Sequence, residues 1–379
     1  MQSPQDDYRT PGQLIQSLLH ARGWTQRVLA VVLEMDETAV NRILSGKRPV
    51  SAETALALAD VFAVPAERFL DLQKTYELAQ AEIVFRRDPR RETRALLFGD
   101  LPISHMIQRG WIDAKGVRDV DRVESELTRF FGAESADEIE ILPHAAKKTS
   151  LDSEVSPSQL AWIYRAKQIA GEMLVGRYSQ QSVKASVKKL SALLSAPEEA
   201  RKVPRILAEA GIRFVIVESV PGAKIDGVCF WLDDRSPVIG MSLRFDRIDN
   251  FWFVLRHELE HVIQGHGKSE IMVDAELEGA RAGDGLDVPE VERIANVAAA
   301  EFCVPQTKLN RFISRKAPFF AERDFLGFCR TLQLHPGIAA GQLQHKTGRY
   351  DRFRKHQVKI RSCVSPGAIV DGWGDVAPV

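Results

Sequence analysis

Apolar residues recur at helical spacing through the first eighty residues, in short segments that are separated by turns. In residues 11–22, Leu14 and Leu18 fall on one face, and Gly23 follows as a helix C-cap. Similar segments with capping residues predict four more helices, within TQRVLAVVLE, DETAVNRILSG, SAETALALADVF and the segment that begins at Pro65. Short helices joined by tight turns predict a helix-turn-helix bundle over residues 8–80.

The apolar pattern changes twice in the rest of the chain. Residues 81–155 show less apolar order, and the charged run RRDPRRETR (residues 86–94) predicts a solvated linker, although residues 123–132 have helical spacing. Helical spacing then returns from residue 156 to about residue 210. Three segments rich in β-branched and aromatic residues follow and predict a small β-meander, at residues 212–219, 228–232 and 237–243.

Composition excludes several classes of protein. The chain has 379 residues, which is enough for two or three domains, and its 51 basic and 51 acidic residues cancel, so a global basic field is absent. The N-terminus lacks the apolar segment of a signal peptide, and the longest apolar runs are too short to span a bilayer. The four cysteines are scattered, which is typical of reduced thiols. We therefore expect a cytoplasmic protein without membrane contact.

Ionisable chemistry is concentrated in FVLRHELEHVIQGHG, residues 253–267. His257 and His261 stand four residues apart, so a helix places both on one face. With Glu258 they form H-E-x-x-H, in which two imidazoles share a divalent ion and the carboxylate accepts a proton from a water on that ion. The alternative is a solvated polar face. The apolar flanks favour burial, and buried ionisable groups require partners such as a metal.

A catalytic zinc ion needs a third protein ligand. His266 lies nine residues after His257, which puts it on the opposite face if the helix continues. The alanine-rich helix predicted over residues 291–305 places Glu292 on the same face as Ala295, Asn296 and Ala299, whereas Glu301 points away. We therefore expect Glu292 to be the third ligand, the alternative being an ordinary exposed helix glutamate.

DRIDNFWFVLRHELEHV, followed by E-x-x-A-N-x-x-A-A-E-F-x-V-P, resembles the ImmA/IrrE family of metallopeptidases over residues 160–310. The resemblance implies that His257, His261 and Glu292 hold a metal, Zn²⁺ or another divalent ion such as Mn²⁺. It also implies that Glu258 is the general base. Ala298 departs from the family's larger residue at that position, which affects packing more than chemistry.

The N-terminal segment resembles the Xre/Cro-type helix-turn-helix, and more closely the HigA-type antitoxins, in its Thr-Gln start, its Ser-Gly-Lys-Arg turn and its Leu-Gln-x-x-Tyr-x-Leu ending. The resemblance implies that the third helix enters the major groove of DNA. It assigns Glu37, Thr38, Asn41 and Arg42 to bases, and Gln26, Lys47 and Arg48 to phosphates. One feature opposes DNA binding, because residues 1–80 contain eight basic and ten acidic residues. The alternative is a structural or protein-binding bundle.

Together these patterns predict an α+β, mainly helical protein. Its expected parts are a DNA-binding domain at residues 8–80, a helical linker region at 81–155, a zincin-like peptidase domain at 156–310 with the H-E-x-x-H helix, and a helical extension at 311–379.

The expected function is a homodimeric repressor or antitoxin whose zinc endopeptidase cleaves a repressor in trans, or its own linker. The alternative is a non-catalytic antitoxin that binds operator DNA and a partner toxin, with a structural or sensory metal site. His335 and Tyr350 are candidate transition-state donors, although a core or loop role suits each of them better.

Overall fold

The computed structural model describes residues 8–85, 88, 90–139, 155–268, 271–275 and 289–375. The chain forms two compact units, Met1–Pro89 and Arg90–Val379. Among the described residues, no helix combines the length and the apolar character that crossing a bilayer requires.

The first unit is a bundle of short capped helices. Thr25 and Ser51 accept hydrogen bonds from backbone amides in the first turns of the second and fourth helices. Phe69 and Leu58 are fully buried in its core, so this unit has an apolar centre of its own. The helices are α1 Pro11–Arg22, α2 Gln26–Val32, α3 Glu37–Leu44, α4 Ala52–Phe62 and α5 Ala66–Val84.

The second unit surrounds one small sheet with helices. Its helices are α6 Arg91–Asp100, α7 Ile103–Gln108, α8 Val120–Phe131, α9 Pro157–Glu172, α10 Gln180–Ser191, α11 Val203–Glu209, α12 Ile248–Gln264, α13 Glu290–Cys303, α14 Gln306–Lys316, α15 Glu322–Leu332, α16 Pro336–Thr347 and α17 Arg361–Val364. Its strands are β1 Arg213–Val217, β2 Ile225–Trp231, β3 Pro237–Met241, β4 Met272–Ala275 and β5 Ile369–Asp371. The predicted α+β, mainly helical class is confirmed.

The sheet is mixed and is not a simple meander. Its order is β4-β2-β3-β1-β5, with β1 parallel to both β3 and β5, while β2 and β3 form an antiparallel hairpin. β1 therefore pairs with the third strand of the chain and not with the second. The cause is burial on both faces, since Phe214, Val215, Ile216 and Val217 are all buried and a central parallel strand satisfies all four.

Within the region expected to be a helical linker, residues 91–131 are folded. Leu97, Met106 and Leu127, from α6, α7 and α8, are fully buried in one cluster with Trp162 of α9. α6 already begins at Arg91, inside the charged run. Residues 91–131 are therefore not an extended linker, because their apolar side chains pack against α9 and the sheet.

The C-terminal part of the chain completes the same unit. β5 adds a strand beside β1, and its Asp371 is fully buried. The Asp371 carboxylate accepts hydrogen bonds from Arg109 Nη2 at 2.8 Å, from Trp111 Nε1 at 3.0 Å and from Arg165 Nε. These contacts tie residues distant in sequence into one body, with α12 at its centre.

Candidate metal centre

Two helices that pack closely carry the candidate ligands. α12 is buried along most of its length, with Trp252, Val254 and Leu259 fully inside the core. α13 approaches it with Ala295 and Ala299, both fully buried, and the small side chains allow the close approach. Ionisable side chains at this contact are consequently removed from water.

The structure brings His257, His261 and Glu292 together, with one ligand atom from each within 4.8 Å of the others. The two Nε2 atoms are 3.0 Å apart. Glu292 Oε2 lies 3.1 Å from His257 Nε2, and Glu292 Oε1 lies 3.6 Å from His261 Nε2. Ligands around a tetrahedral zinc ion are about 3.3 Å apart, given metal–nitrogen bonds of about 2.0–2.1 Å. The donor set and its spacing therefore fit a divalent ion.

Asn296 determines which nitrogen of His257 faces Glu292. Its Oδ1 lies 3.0 Å from His257 Nδ1, and an amide oxygen only accepts hydrogen bonds. His257 Nδ1 must therefore donate, which in the neutral ring leaves the lone pair on Nε2, the atom that points toward Glu292. Such outer hydrogen bonds orient imidazole ligands in metal sites.

His266 contacts His261, contrary to the expectation from helical spacing. α12 ends at Gln264, and Gly265 adopts a left-handed conformation with φ of 77°. The chain turns back, so that His266 Nδ1 lies 3.1 Å from His261 Nδ1. The backbone carbonyl of His266 accepts a hydrogen bond from Trp231 Nε1 at 2.7 Å, which anchors the turn to β2. The glycine after Gln264 is the sequence signal that could have predicted this turn.

Glu258 is fully buried against β2. A Cβ atom at Gly227 would lie 2.1 Å from Glu258 Oε1, so the space for the carboxylate exists only because residue 227 has no side chain. Gly227 could not be predicted as part of the site from the sequence, since nothing in the local pattern of β2 links it to α12. The four side chains of His257, Glu258, His261 and Glu292 therefore share one buried region of α12 and its neighbours.

The electrostatics favour an ionised Glu292 and a neutral His266. Burial opposes ionisation of Glu292, but its hydrogen bonds with His257 and His261 outweigh burial and lower the pKa of its carboxyl far below the usual range. Burial, with a smaller contribution from nearby His261, lowers the pKa of His266. An anionic carboxylate is the form of Glu292 that ligates a metal ion.

The remaining candidates lie in other environments. Glu301 is exposed, and its Oε2 accepts a hydrogen bond from the backbone amide of Gln306 at 2.9 Å. His335 is the N-cap of α16, where its Nδ1 accepts from the amide of Gly337 at 3.1 Å. Tyr350 is 38% exposed in the segment after α16. For His335 the contacts account for a capping role.

The first unit presents its seven candidate DNA contacts on the surface. Val40, Ile43 and Leu44 of α3 are buried, which turns the opposite face of that helix outward. The amides of Lys47 and Arg48 both donate to the carbonyl of Arg42, so the basic turn folds over the end of α3. The exposed side chains are Gln26, Glu37, Thr38, Asn41, Arg42, Lys47 and Arg48.

Two family models match separate parts of the chain. The model described as a helix-turn-helix domain matches residues 12–72, and the model described as an IrrE N-terminal-like domain matches residues 208–322. These matches confirm both resemblances that the sequence predicted. The chain therefore joins a helix-turn-helix domain typical of transcription regulators to an IrrE-like peptidase domain.

Curated relatives match the N-terminal part. Virulence-associated protein I of Dichelobacter nodosus is 32% identical over 73 residues, which are 19% of this chain and 68% of the relative. The uncharacterized HTH-type transcriptional regulator YddM of Escherichia coli K12 is 32% identical over 72 residues, which are 19% of this chain and 77% of that protein. A solved structure of an addiction module antidote protein of the HigA family from Coxiella burnetii is 32% identical. It covers 20% of this chain and 82% of its own, with a TM-score of 0.19.

Proposed function

We propose that this chain, which belongs to the helix-turn-helix family through residues 12–72, is a DNA-binding regulator of the antitoxin type. Its IrrE N-terminal-like domain at residues 208–322 would add the activity of a metal-dependent endopeptidase. The observation that carries the peptidase proposal is the convergence of His257 Nε2, His261 Nε2 and the Glu292 carboxylate, within 4.8 Å of one another, beside a buried Glu258.

His257, His261 and Glu292 would hold the ion, and two imidazoles with one carboxylate suit Zn²⁺ first and Mn²⁺ second. A bound divalent ion supplies a Lewis acid that polarises a peptide carbonyl and makes water more acidic. Glu258 would take the proton of the attacking water and deliver it to the nitrogen of the leaving amine. Asn296 would keep the His257 lone pair on Nε2.

The proposed substrate is a peptide segment in an extended conformation. Its two proposed sources are a partner repressor and the part of this chain that follows α5 at Val84. Phe85, at the beginning of this segment, is 53% exposed, whereas α6, α7 and α8 are folded helices that resist entry into a peptidase cleft. A cut there would separate the DNA-binding unit from the rest of the chain.

The test compares the wild type with Glu258→Gln, both loaded with metal and incubated alone and with candidate repressors. Fragments are mapped by mass spectrometry. We expect a discrete cut from the wild type and none from Glu258→Gln, with equal metal content in both. Identical fragments from the two proteins would identify a contaminating protease and remove the support for catalysis.

A second candidate function is a non-catalytic antitoxin with a structural or sensory metal site. Burial favours this alternative, because His257, Glu258 and His261 are fully buried and the Glu292 side chain is only 19% exposed. This protein would bind operator DNA as a homodimer and capture a partner toxin. The absence of cleavage under every metal condition, with DNA binding and metal content intact, would select it.

A further inference from the structure

One segment of the chain is strongly basic, although the chain as a whole has no net charge. Residues 306–361 contain 13 lysines and arginines but only three acidic residues. The other 323 residues contain 38 basic and 48 acidic residues, so the two charges cancel only over the whole chain. This imbalance lies in well-packed helices and turns of the second unit, not in a separate tail.

Helix α14 presents one basic stripe. Phe312 stacks on Phe320 and Phe328, with ring centroids 6.0 and 4.7 Å apart, which joins α14 to α15 and to the segment between them. Lys308, Arg311 and Arg315 are spaced three and four residues apart and are all exposed. At this spacing they share one side of α14, which adjoins Phe312 and therefore the contact with α15.

Helix α15, which the contact between Phe312 and Phe328 joins to α14, also carries exposed basic residues. Phe325 and Cys329 are buried, which turns Arg323 and Arg330, seven residues apart, outward on the opposite side. The two acidic residues of this helix lie on either side of those arginines. Each acidic residue forms an ion pair with a lysine outside α15.

Two ion pairs neutralise the acidic residues of α15. Lys316 Nζ lies 2.5 Å from Asp324 Oδ2, and Lys355 Nζ lies 2.7 Å from Glu322. The lysines neutralise both carboxylates of α15, so the net charge of the surface remains positive. The basic face is defined by the exposed basic residues without an acidic residue of α15 beside them in an ion pair: Lys308, Arg311 and Arg315 of α14, and Arg323 and Arg330 of α15.

We propose that the basic face binds the phosphate backbone of duplex DNA, in addition to the contact proposed for the helix-turn-helix. Lysine and arginine contacts to phosphates supply the sequence-independent part of DNA affinity by releasing counterions. The first 80 residues, with eight basic and ten acidic residues, are poor in this charge.

The test measures binding of the full chain to a duplex of random sequence over a range of salt concentrations. The double variant Arg323→Gln/Arg330→Gln should weaken binding on the order of 50-fold at 0.1 M salt and make the slope of log K against log salt shallower by about 1.8, since each phosphate contact contributes about 0.9. Arg323→Lys/Arg330→Lys keeps the charge and should keep the affinity within a few-fold.

The matched control is Lys184→Gln/Lys188→Gln, which removes two charges from the exposed face of α10 in the same unit. It should leave both affinity and slope unchanged, and thermal melts verify that all variants fold. An equal loss in this control would overturn the proposal, since it would show only an effect of net charge. Anionic lipid vesicles are the competing probe, because Phe319 beside the basic face is 84% exposed. Vesicle binding without DNA binding would also overturn the proposal.

The same measurement in a chain with Lys47→Gln/Arg48→Gln separates this proposal from the helix-turn-helix, because these two side chains are the proposed phosphate contacts of that domain. The basic face should still bind random duplex DNA when the helix-turn-helix contact is weakened. If all binding to random DNA disappears with Lys47→Gln/Arg48→Gln, the basic face makes no DNA contact of its own.

Discussion

His266 Nδ1 lies 3.1 Å from His261 Nδ1. His261 lies in the last turn of α12, whereas His266 lies in the turn that follows the helix. If His261 ligates a metal through Nε2, its Nδ1 carries the proton and donates to His266. The lowered pKa of His266 keeps that ring neutral and able to accept. His266 is therefore a positioning residue for His261 under the proposed function.

We expect His266→Ala to lower metal affinity about 10- to 100-fold without removing a ligand, since outer hydrogen bonds to metal-bound histidines have effects of this size. Competition with a chromogenic chelator measures the affinity. His105→Ala, at an exposed position of α7, is the control and should leave the affinity unchanged. Unaltered affinity in His266→Ala would show that the contact with His261 has no role in binding.

The ligand assignment predicts a sharp difference between two glutamates of α13. Glu292→Ala should reduce bound metal from about one ion per chain to none, as should His257→Ala and His261→Ala. Glu301→Ala should retain the ion, because Glu301 is exposed and bonds to the amide of Gln306. Elemental analysis after dialysis gives the stoichiometry. Full metal content in Glu292→Ala would require another third ligand.

Local periodicity accounts for what the sequence could predict about the candidate site. Four-residue spacing on one helix places His257 and His261 side by side, and three-residue spacing puts Glu292 on the small-residue face of α13 with Ala295. Both inferences need only the geometry of a single helix.

Contacts between distant segments could not be predicted in this way. The gap at Gly227 and the addition of β5 beside β1 depend on elements far apart in the chain. The packing of apolar side chains from residues 91–131 against α9 and the sheet could not be predicted either, because the apolar periodicity of these residues is weak.

His335 offers a pH-dependent test of a helix cap. Burial lowers the pKa of His335, and nearby His356 lowers it further, so the folded chain favours the neutral form of this side chain. Stability from this group is present above the unfolded pKa of about 6.5 and is lost as pH falls through the lower folded pKa. His335→Ala should destabilise the metal-free chain by about 1 kcal/mol at pH 8 and by less at pH 5.

His335→Asn is the companion variant, because asparagine caps helices without titrating in this range. Its stability relative to the wild type should increase as pH falls from 7 to 5. Chemical denaturation at each pH measures both differences. A pH-independent difference between wild type and His335→Asn would mean that protonation of His335 is not linked to folding.

The exposed face of α3 predicts two kinds of DNA phenotype. Thr38→Ala and Arg42→Ala should relax base preference at particular positions of a palindromic site, at a cost of about 1–3 kcal/mol. Lys47→Ala should weaken every sequence alike and reduce the salt slope by about 0.9. Selection from random duplexes measures both, with Lys74→Ala on α5 as the control. The recovery of no enriched sequence would contradict sequence-specific binding.

Gly227 separates the role of Glu258 from that of the metal ligands. A methyl group at residue 227 would lie 2.1 Å from Glu258 Oε1 and 2.8 Å from Val254 Cγ1, so Gly227→Ala must displace the carboxylate. We expect proteolysis to fall on the order of 100-fold, since misplacement of a catalytic group by about 1 Å has effects of this size. Metal content should stay the same, because neither histidine moves with the carboxylate.

Gly171→Ala in α9 is the matched control, as a Cβ there meets no atom within 4 Å, and its activity should equal that of the wild type. Wild-type cleavage by Gly227→Ala would show that the position of Glu258 in this structure is not the one that the reaction uses.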